Sequence, residues 1–229
     1  MKRTNVLYTI ALFAILIGAG GLPPSAEALS IAVYQGDTYL GYVSPYSGTY
    51  TGAGNFHYTD PDSSPYNGPQ QVANEGQIFF YSGSDGLHFN TIFNVAGGGA
   101  SGTVRWDIAI TGSTSDPTVQ VSDDSLELRE TTTNNEFRGM WSWTGHTDGG
   151  VIGALGGDDW TVTISSGSYT GLPSGLKVYG LYENPITLLQ NTDVIVFKPL
   201  ASSVPEPATL LLIGTGMIGL IAGRRRKGM

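Results

Sequence analysis

Aspartate residues stand at several points of the chain where glycine, serine and asparagine predict turns. Carboxylate oxygens on flexible turns are the hard ligands that Ca²⁺ prefers, and the ion takes about six to eight of them. The same side chains also form turns by bonding their own backbone, so ordinary turn chemistry is the alternative. The sequence predicts no cofactor with certainty. The one candidate is a structural calcium ion, with candidate ligands Asp60, Asp62, Asp123, Asp124, Asp158 and Asp159.

Two tryptophans are the candidate ligand-binding residues. Trp141 and Trp143 are two residues apart in a segment with strand-like alternation, so they share one face of the strand. On an outer face they would form a platform on which a sugar ring stacks. On an inner face they would belong to the core, like Trp106 and Trp160, and core burial is favoured because large aromatic residues in alternating strands are more often buried.

No residue pattern in the chain predicts catalysis. None of the histidines, His57, His88 and His146, lies in a metalloprotease motif, and no G-x-S-x-G elbow is present. Residues 97–102 fit the nucleotide-binding pattern G-x-G-x-x-G, but they lead into a predicted strand and not into a helix. Without a helix N-terminus to bind a phosphate, we interpret them as a turn. Glycoside hydrolysis needs only two carboxylates at a suitable separation, and because this chain is rich in acidic residues, their presence is not evidence for such an activity. We therefore assign no catalytic residue and expect a protein that is not an enzyme.

The charge of the central region limits its partners. Residues 29–203 contain five lysines and arginines against seventeen acidic residues, a formal net charge of −12. Such a domain repels nucleic acid, whose binding requires cations that meet phosphates. The chain has no cysteine, so stability must come from the core or from a metal ion, and thiol chemistry is excluded.

Hydrophobic residues of the central region recur with a period of two, which is typical of half-buried strands. Glycine-rich turns separate these segments, and the pattern predicts an all-β domain, an antiparallel β-sandwich of jelly-roll-like type. Residues 44–76 show little periodicity and are expected to form a long loop at one end. The candidate strands are 30–34, 39–43, 77–81, 87–95, 104–110, 119–121, 126–128, 137–143, 151–155, 160–164, 176–182 and 193–197.

The first 28 residues have the pattern of a secretory signal peptide. Lys2 and Arg3 precede a short apolar run, which glycines and prolines end, and small residues at Ala26 and Ala28 mark the cleavage site. The alternative is an uncleaved membrane anchor, which the shortness of the apolar run disfavours. The predicted domains are therefore a signal peptide at 1–28, a β-sandwich at 29–200, and a linker and tail at 201–229.

The last 26 residues predict a single transmembrane helix. Residues 208–223 are almost wholly apolar, and as a helix they would span about 24 Å, somewhat less than the hydrocarbon core. The basic residues behind them extend the span by reaching the headgroups, and they hold this end in the cytoplasm. A buried core helix is the alternative, which this basic end disfavours. The flanking cations are Arg224, Arg225, Arg226 and Lys227.

The tail resembles the PEP-CTERM sorting signal. Val204, Pro205, Glu206 and Pro207 supply the Pro-Glu-Pro triplet, and the apolar run and basic end complete the three-part pattern. The resemblance implies export in a Gram-negative bacterium and recognition by a membrane-embedded exosortase. It also implies transient anchoring in the inner membrane, followed by cleavage and release to the cell surface or exopolysaccharide.

Together these features predict an exported surface or extracellular-matrix protein with a structural or adhesive role. The alternative is a carbohydrate-binding or carbohydrate-active β-sandwich. The expected partners are signal peptidase, an exosortase-like enzyme, the membrane through the C-terminal helix, and exopolysaccharide, with no nucleic acid among them.

Overall fold

The structure, a computed structural model, shows an all-β protein, which confirms the predicted class. The signal peptide with Ala26 and Ala28, and the tail with its sorting triplet and basic end, lie outside the described residues. Within the described part, no helix is long and apolar enough to cross a membrane. The described residues are 29–56, 66–95, 97–98, 100–122, 124–189 and 193–200.

Short strands make up most of the described chain, with one helical turn, α1 (Gly52–Asn55). The strands are β1 (Ile31–Gln35), β2 (Thr38–Val43), β3 (Tyr46–Ser47), β4 (Gly76–Gly83), β5 (Gly86–Phe93), β6 (Ser101–Thr111), β7 (Thr118–Ser122), β8 (Leu128–Glu130), β9 (Glu136–Thr144), β10 (Asp148–Leu155), β11 (Thr161–Thr170), β12 (Leu176–Tyr179), β13 (Ile186–Leu188) and β14 (Ile195–Pro199).

Seven strands form sheet A in the order β2-β1-β14-β11-β6-β9-β8, and all neighbours in it are antiparallel. Its central strands alternate strictly between buried and exposed side chains. On β6, Val104, Trp106 and Ile108 are buried, whereas Arg105 is exposed and Asp107 partly exposed. This alternation means that one face of sheet A packs on the core and the other meets water.

Sheet B has the order β13-β12-β4-β5-β10-β7, and β3 pairs with the second half of β4. The prediction of purely antiparallel pairing was wrong here, because β12 and β3 both run parallel to β4. A parallel pair needs a long connection, and many residues separate β4 from either partner in the chain. Hydrophobic period alone carries no information on strand direction, so the sequence pattern could not show this.

The two sheets pack face to face on one hydrophobic core. Ile31 and Val33 of sheet A belong to the same buried cluster as Ile78 and Phe80 of sheet B. Aromatic pairs cross between the sheets, since Phe80 contacts Trp160 and Phe197 with ring centroids 5.6 and 5.5 Å apart. The domain is thus held together by apolar burial between two sheets.

The described residues between β2 and β4, 44–56 and 66–75, form what we call the covering segment, because they cover the outer face of sheet B. This corrects the prediction of a loop at one end of the domain. Phe56, next to α1, joins Phe79, Tyr81, Ile92 and Val151 in a second buried cluster. Tyr46 and Tyr66 pack against it from the same covering segment. These aromatic side chains bury apolar surface of sheet B, and this explains why a segment without periodicity lies on a face.

Burial on both faces also explains the weak alternation of β10. Seven of its eight residues are buried, because it has the core on one side and the covering segment on the other. A strand buried on both faces reads as a continuous apolar run.

Strand β8 begins at Leu128, later than predicted, because Leu126 has a φ of 78° that a strand does not accommodate.

Candidate functional site

Trp141 and Trp143 lie in the core between the sheets, so they are not the ligand residues that the outer-face alternative required. Each is 1% exposed. Trp143 stacks on Phe93 of sheet B with centroids 5.6 Å apart and an interplanar angle of 8°. Trp141 contacts Phe93 and Trp106 at 5.0 and 5.5 Å. Their spacing put them on one strand face as expected, and packing against sheet B decided that this face is the inner one.

The candidate site is the outer face of sheet A, which we call the open face. Residues in register form rows across it, perpendicular to the strands. A long row runs from the β2 edge of the sheet to β9 and consists of Tyr39, Tyr34, Val196, Thr163, Ala109 and Glu136. A shorter row next to it consists of Ser165 on β11, Asp107 on β6 and Arg138 on β9.

Three tyrosines and a lysine occupy the β2 edge of the open face, and we call this group the tyrosine edge. Tyr34 and Tyr39 are opposite each other with ring centroids 5.3 Å apart. Tyr42 lies opposite Ala32 on the same face, and Tyr39 and Tyr42 are 50% and 48% exposed. The ammonium of Lys198 lies 4.6 Å from the centroid of the Tyr34 ring, within cation–π range.

A β-bulge places the tyrosine edge on one face. Tyr39 and Tyr42 are three residues apart and would point to opposite faces of a regular strand. The register of β1 and β2 shifts between Val33 and Tyr34, so that one extra residue of β2 is accommodated there. Gly41 has a φ of 145° at this point, a conformation that side-chain-bearing residues rarely adopt.

The other half of the open face contains two adjoining grooves. One of about 440 Å³ lies between β6, β9, β11 and the turn after β8, and its lining includes Ala109, Glu136 and the hydroxyl side chains at 131–133. The second, of about 280 Å³, is lined by Arg105 and Ser168 among others. Asp107 and Arg138 border both grooves and form an ion pair at 3.0 Å, with each side chain about half exposed.

Positive charge is concentrated on the open face. Four of the five basic residues in 29–203 lie there, namely Arg105, Arg129, Arg138 and Lys198. Asp107 and Glu136 share the face, and Glu127 lies at its β8 margin. Among the described residues, most carboxylates therefore lie elsewhere, and this face differs in charge from the rest of the described domain.

His88 of β5 is fully buried. Its ring lies beside Tyr81, on the side of sheet B that the covering segment encloses, rather than in the main core. Its Nε2 lies 2.8 Å from Oδ1 of Asp85, and the same oxygen accepts a hydrogen bond from the Gly52 amide at 3.0 Å. The pair thus fastens α1 to the β4–β5 hairpin and is enclosed from solvent on the histidine side.

A buried carboxylate joins β12 to the start of β4. Glu75 is 1% exposed, and its Oε2 lies 2.5 Å from the ammonium of Lys177. Its Oε1 accepts hydrogen bonds from the Tyr179 hydroxyl and, at 3.4 Å, from Gln77 Nε2. Burial and the bond to Glu75 raise the pKa of Tyr179 to about 12. The buried carboxylate thus has one charged and two neutral partners.

Glu183 fastens a second loop. Burial alone would raise the pKa of its carboxyl, but hydrogen bonds to the carboxylate outweigh it and the pKa lies below its ordinary value. The donors are the hydroxyl of Ser44 at 2.7 Å, its amide at 3.0 Å and the Tyr182 amide at 3.3 Å. The charged form of Glu183 therefore anchors the turn after β12 to the end of β2.

The candidate calcium ligands lie apart in the structure where they are described. Asp124 follows β7, and Asp158 and Asp159 lie between β10 and β11. Asp60, Asp62 and Asp123 are outside the described residues. No group of three or more histidine or acidic side chains arranged for a metal occurs among the residues that are described. Calcium binding stays a prediction, which melting curves in chelator would test.

Sequence reasoning missed the tyrosine edge because a period-two reading separates Tyr39 from Tyr42. The available signal was a glycine between them, since an isolated glycine in a strand often marks a bulge. The four cations were counted correctly from the sequence, but their common face depends on strand order.

These features define the class: an all-β domain of two packed sheets, with one outer face covered by its own chain and the other open, aromatic and basic. Comparison with protein families finds the PEP-CTERM protein-sorting motif at residues 203–227. The chain carries this motif, as its Pro-Glu-Pro triplet predicted, and the motif implies an exported protein processed by exosortase, a membrane enzyme. No family match covers the central domain, and no curated protein or solved structure matches significantly.

Proposed function

We propose that the protein is a surface or extracellular-matrix protein with an adhesive role and no enzymatic activity. The open face carries this proposal. It extends over seven strands and presents aromatic, hydroxyl and charged groups side by side, as a surface that contacts an extended partner would. The described part of the covering segment packs on the opposite outer face, so contact with a partner is directed to the open face.

The proposed route follows from the two ends of the chain. Signal peptidase cleaves after Ala28, and the apolar run at 208–223 holds the protein in the inner membrane with the domain outside. Exosortase then acts at the sorting triplet, and the domain passes to the cell surface or to exopolysaccharide. The PEP-CTERM motif supports this route.

Carbohydrate binding is the second candidate function, and the tyrosine edge favours it. Exposed rings on one sheet face offer the flat apolar surface on which a sugar ring stacks, and their hydroxyls offer hydrogen bonds. The two candidates are compatible, since an adhesin of the matrix can bind its polysaccharide.

Deleting residues 29–200 while keeping both ends tests the adhesive role. Cells with this variant should export and process the short remnant normally but lose attachment to matrix material, because the open face is absent. Attached biomass after washing measures the effect, and a strain with the intact protein is the control. Equal attachment by the two strains would contradict the proposed role.

The sorting tail is tested by two variants that should fail differently. Glu206→Gln lies outside the apolar run, so the protein should remain in the membrane but stay uncleaved. Neutral replacements of Arg224, Arg225, Arg226 and Lys227 remove the charges that fix orientation and the reach to the headgroups, so the protein should leak in soluble form. Fractionation and intact mass measure both outcomes. If both variants are retained and cleaved like the parent, the triplet and the basic end have no part in sorting.

A further inference from the structure

We propose that the open face is a binding site for an acidic polysaccharide, a glycan chain that carries carboxylate groups. The tyrosine edge would bind sugar rings, and the basic residues would bind carboxylates. The inference rests on the proposed adhesive function and names the ligand class of its surface.

Stacking is provided by the tyrosine edge. Tyr39 and Tyr42 expose about half of their surface, although large aromatic side chains in this domain are otherwise mostly buried. Tyr34 lies between Tyr39 and Lys198, which fixes its ring by contacts on two sides. A ring that is already ordered loses little conformational freedom when a ligand binds, and this favours affinity.

The register of sheet A gives the ligand a path. The row from Tyr39 through Thr163 leads to Ala109 and Glu136, which line the 440 Å³ groove. With neighbouring strands about 4.8 Å apart, the four steps from β2 to β6 cover roughly 19 Å. An extended glycan of several units therefore spans the tyrosine edge and the groove together, with threonine and serine hydroxyls as hydrogen-bond partners between them.

Charge selects the acidic class of glycan. A polyanion is repelled by the domain as a whole, whose formal net charge is −12, whereas the open face holds four of the five cations against the carboxylates of Asp107, Glu136 and Glu127. Lys198 stands next to the stacking rings, and Arg105 lines the smaller groove. Arginine binds a carboxylate in a forked geometry and lysine binds it as a point charge, so carboxylates along a glycan fit both positions.

The experiment measures binding of the full-length protein, in detergent, to immobilised polygalacturonate and to dextran as a neutral polysaccharide. We expect binding to polygalacturonate that weakens when salt is raised from about 0.05 to 0.5 M, because exposed charge pairs are screened. The double variant Tyr39→Ala and Tyr42→Ala should weaken it at least about tenfold, as should Lys198→Gln with Arg105→Gln. Tyr50→Ala is the matched control, a 43% exposed tyrosine whose carbonyl accepts a hydrogen bond from Tyr81 on the covered side of sheet B, and it should bind like the parent.

The possible results separate this inference from the adhesive role. Unchanged melting temperatures would show that the variants fold. Polygalacturonate binding that both double variants leave intact would overturn the site, and equal binding of dextran would overturn the acidic class. If neither glycan binds while the deletion strain still loses attachment, the inference fails and the adhesive role stands. Self-association that the tyrosine variants abolish would instead identify the face as an interface between copies.

Discussion

Replacing Gly139 by valine is expected to lower the free energy of unfolding by about 3 kcal/mol, since overpacking a tight core forces side chains off their preferred geometry. A Cβ at Gly139 would overlap the six-membered ring of Trp141. That ring cannot move away easily, because Phe93 and Trp106 hold it at 5.0 and 5.5 Å. Urea denaturation of the parent and variant measures the difference.

Two further variants show whether the clash with Trp141 is the cause. Ser142→Val, on the exposed side of the same strand, adds the same side chain without meeting the core and should change stability little. Trp141→Leu should itself destabilise, but combined with Gly139→Val it should cost less than the sum, because the smaller side chain makes room. Strict additivity of the two changes would contradict the proposed contact.

Replacing Glu75 by alanine is also expected to cost about 3 kcal/mol, the lower end of the range for breaking a buried ion pair, because Lys177 is partly exposed and can turn to water. The variant also removes the acceptor of the Tyr179 hydroxyl. Glu136→Ala, which deletes an exposed carboxylate from β9, is the matched control and should have a much smaller effect. Equal losses in the two variants would show that the Glu75 cluster adds no stability.

The same cluster predicts a loss of stability at alkaline pH. The pKa of Tyr179 lies at about 12 in the folded protein, against 10.0 for an ordinary tyrosine. Because the folded state holds this proton more tightly, the contribution is full below pH 10 and disappears as the pH rises towards 12. Melting temperatures of the parent and of Tyr179→Phe should therefore converge over this window. A constant difference between them from pH 9 to 12 would refute the linkage.

Local patterns in the sequence were sufficient for most strands of sheet A, β8 excepted. Val104, Trp106 and Ile108 alternate with polar residues because one face of β6 is buried and the other is wet, and this period is visible in one segment alone. The same reasoning gave only a weak indication for β10, where burial on both faces removes the alternation. It missed β3 and β13, because strands of two or three residues are too short for any period to show.

The sorting tail and the all-β class were determined by the sequence itself, because a triplet, an apolar run and a period of two are properties of neighbouring residues. The candidate site was decided only by the tertiary structure. Strand order brought Arg105, Arg129 and Lys198 to one face, and a bulge turned Tyr39 to the same side as Tyr42. Packing of one sheet on the other sent Trp141 inward, since which face of a strand is buried depends on what the rest of the chain lays against it.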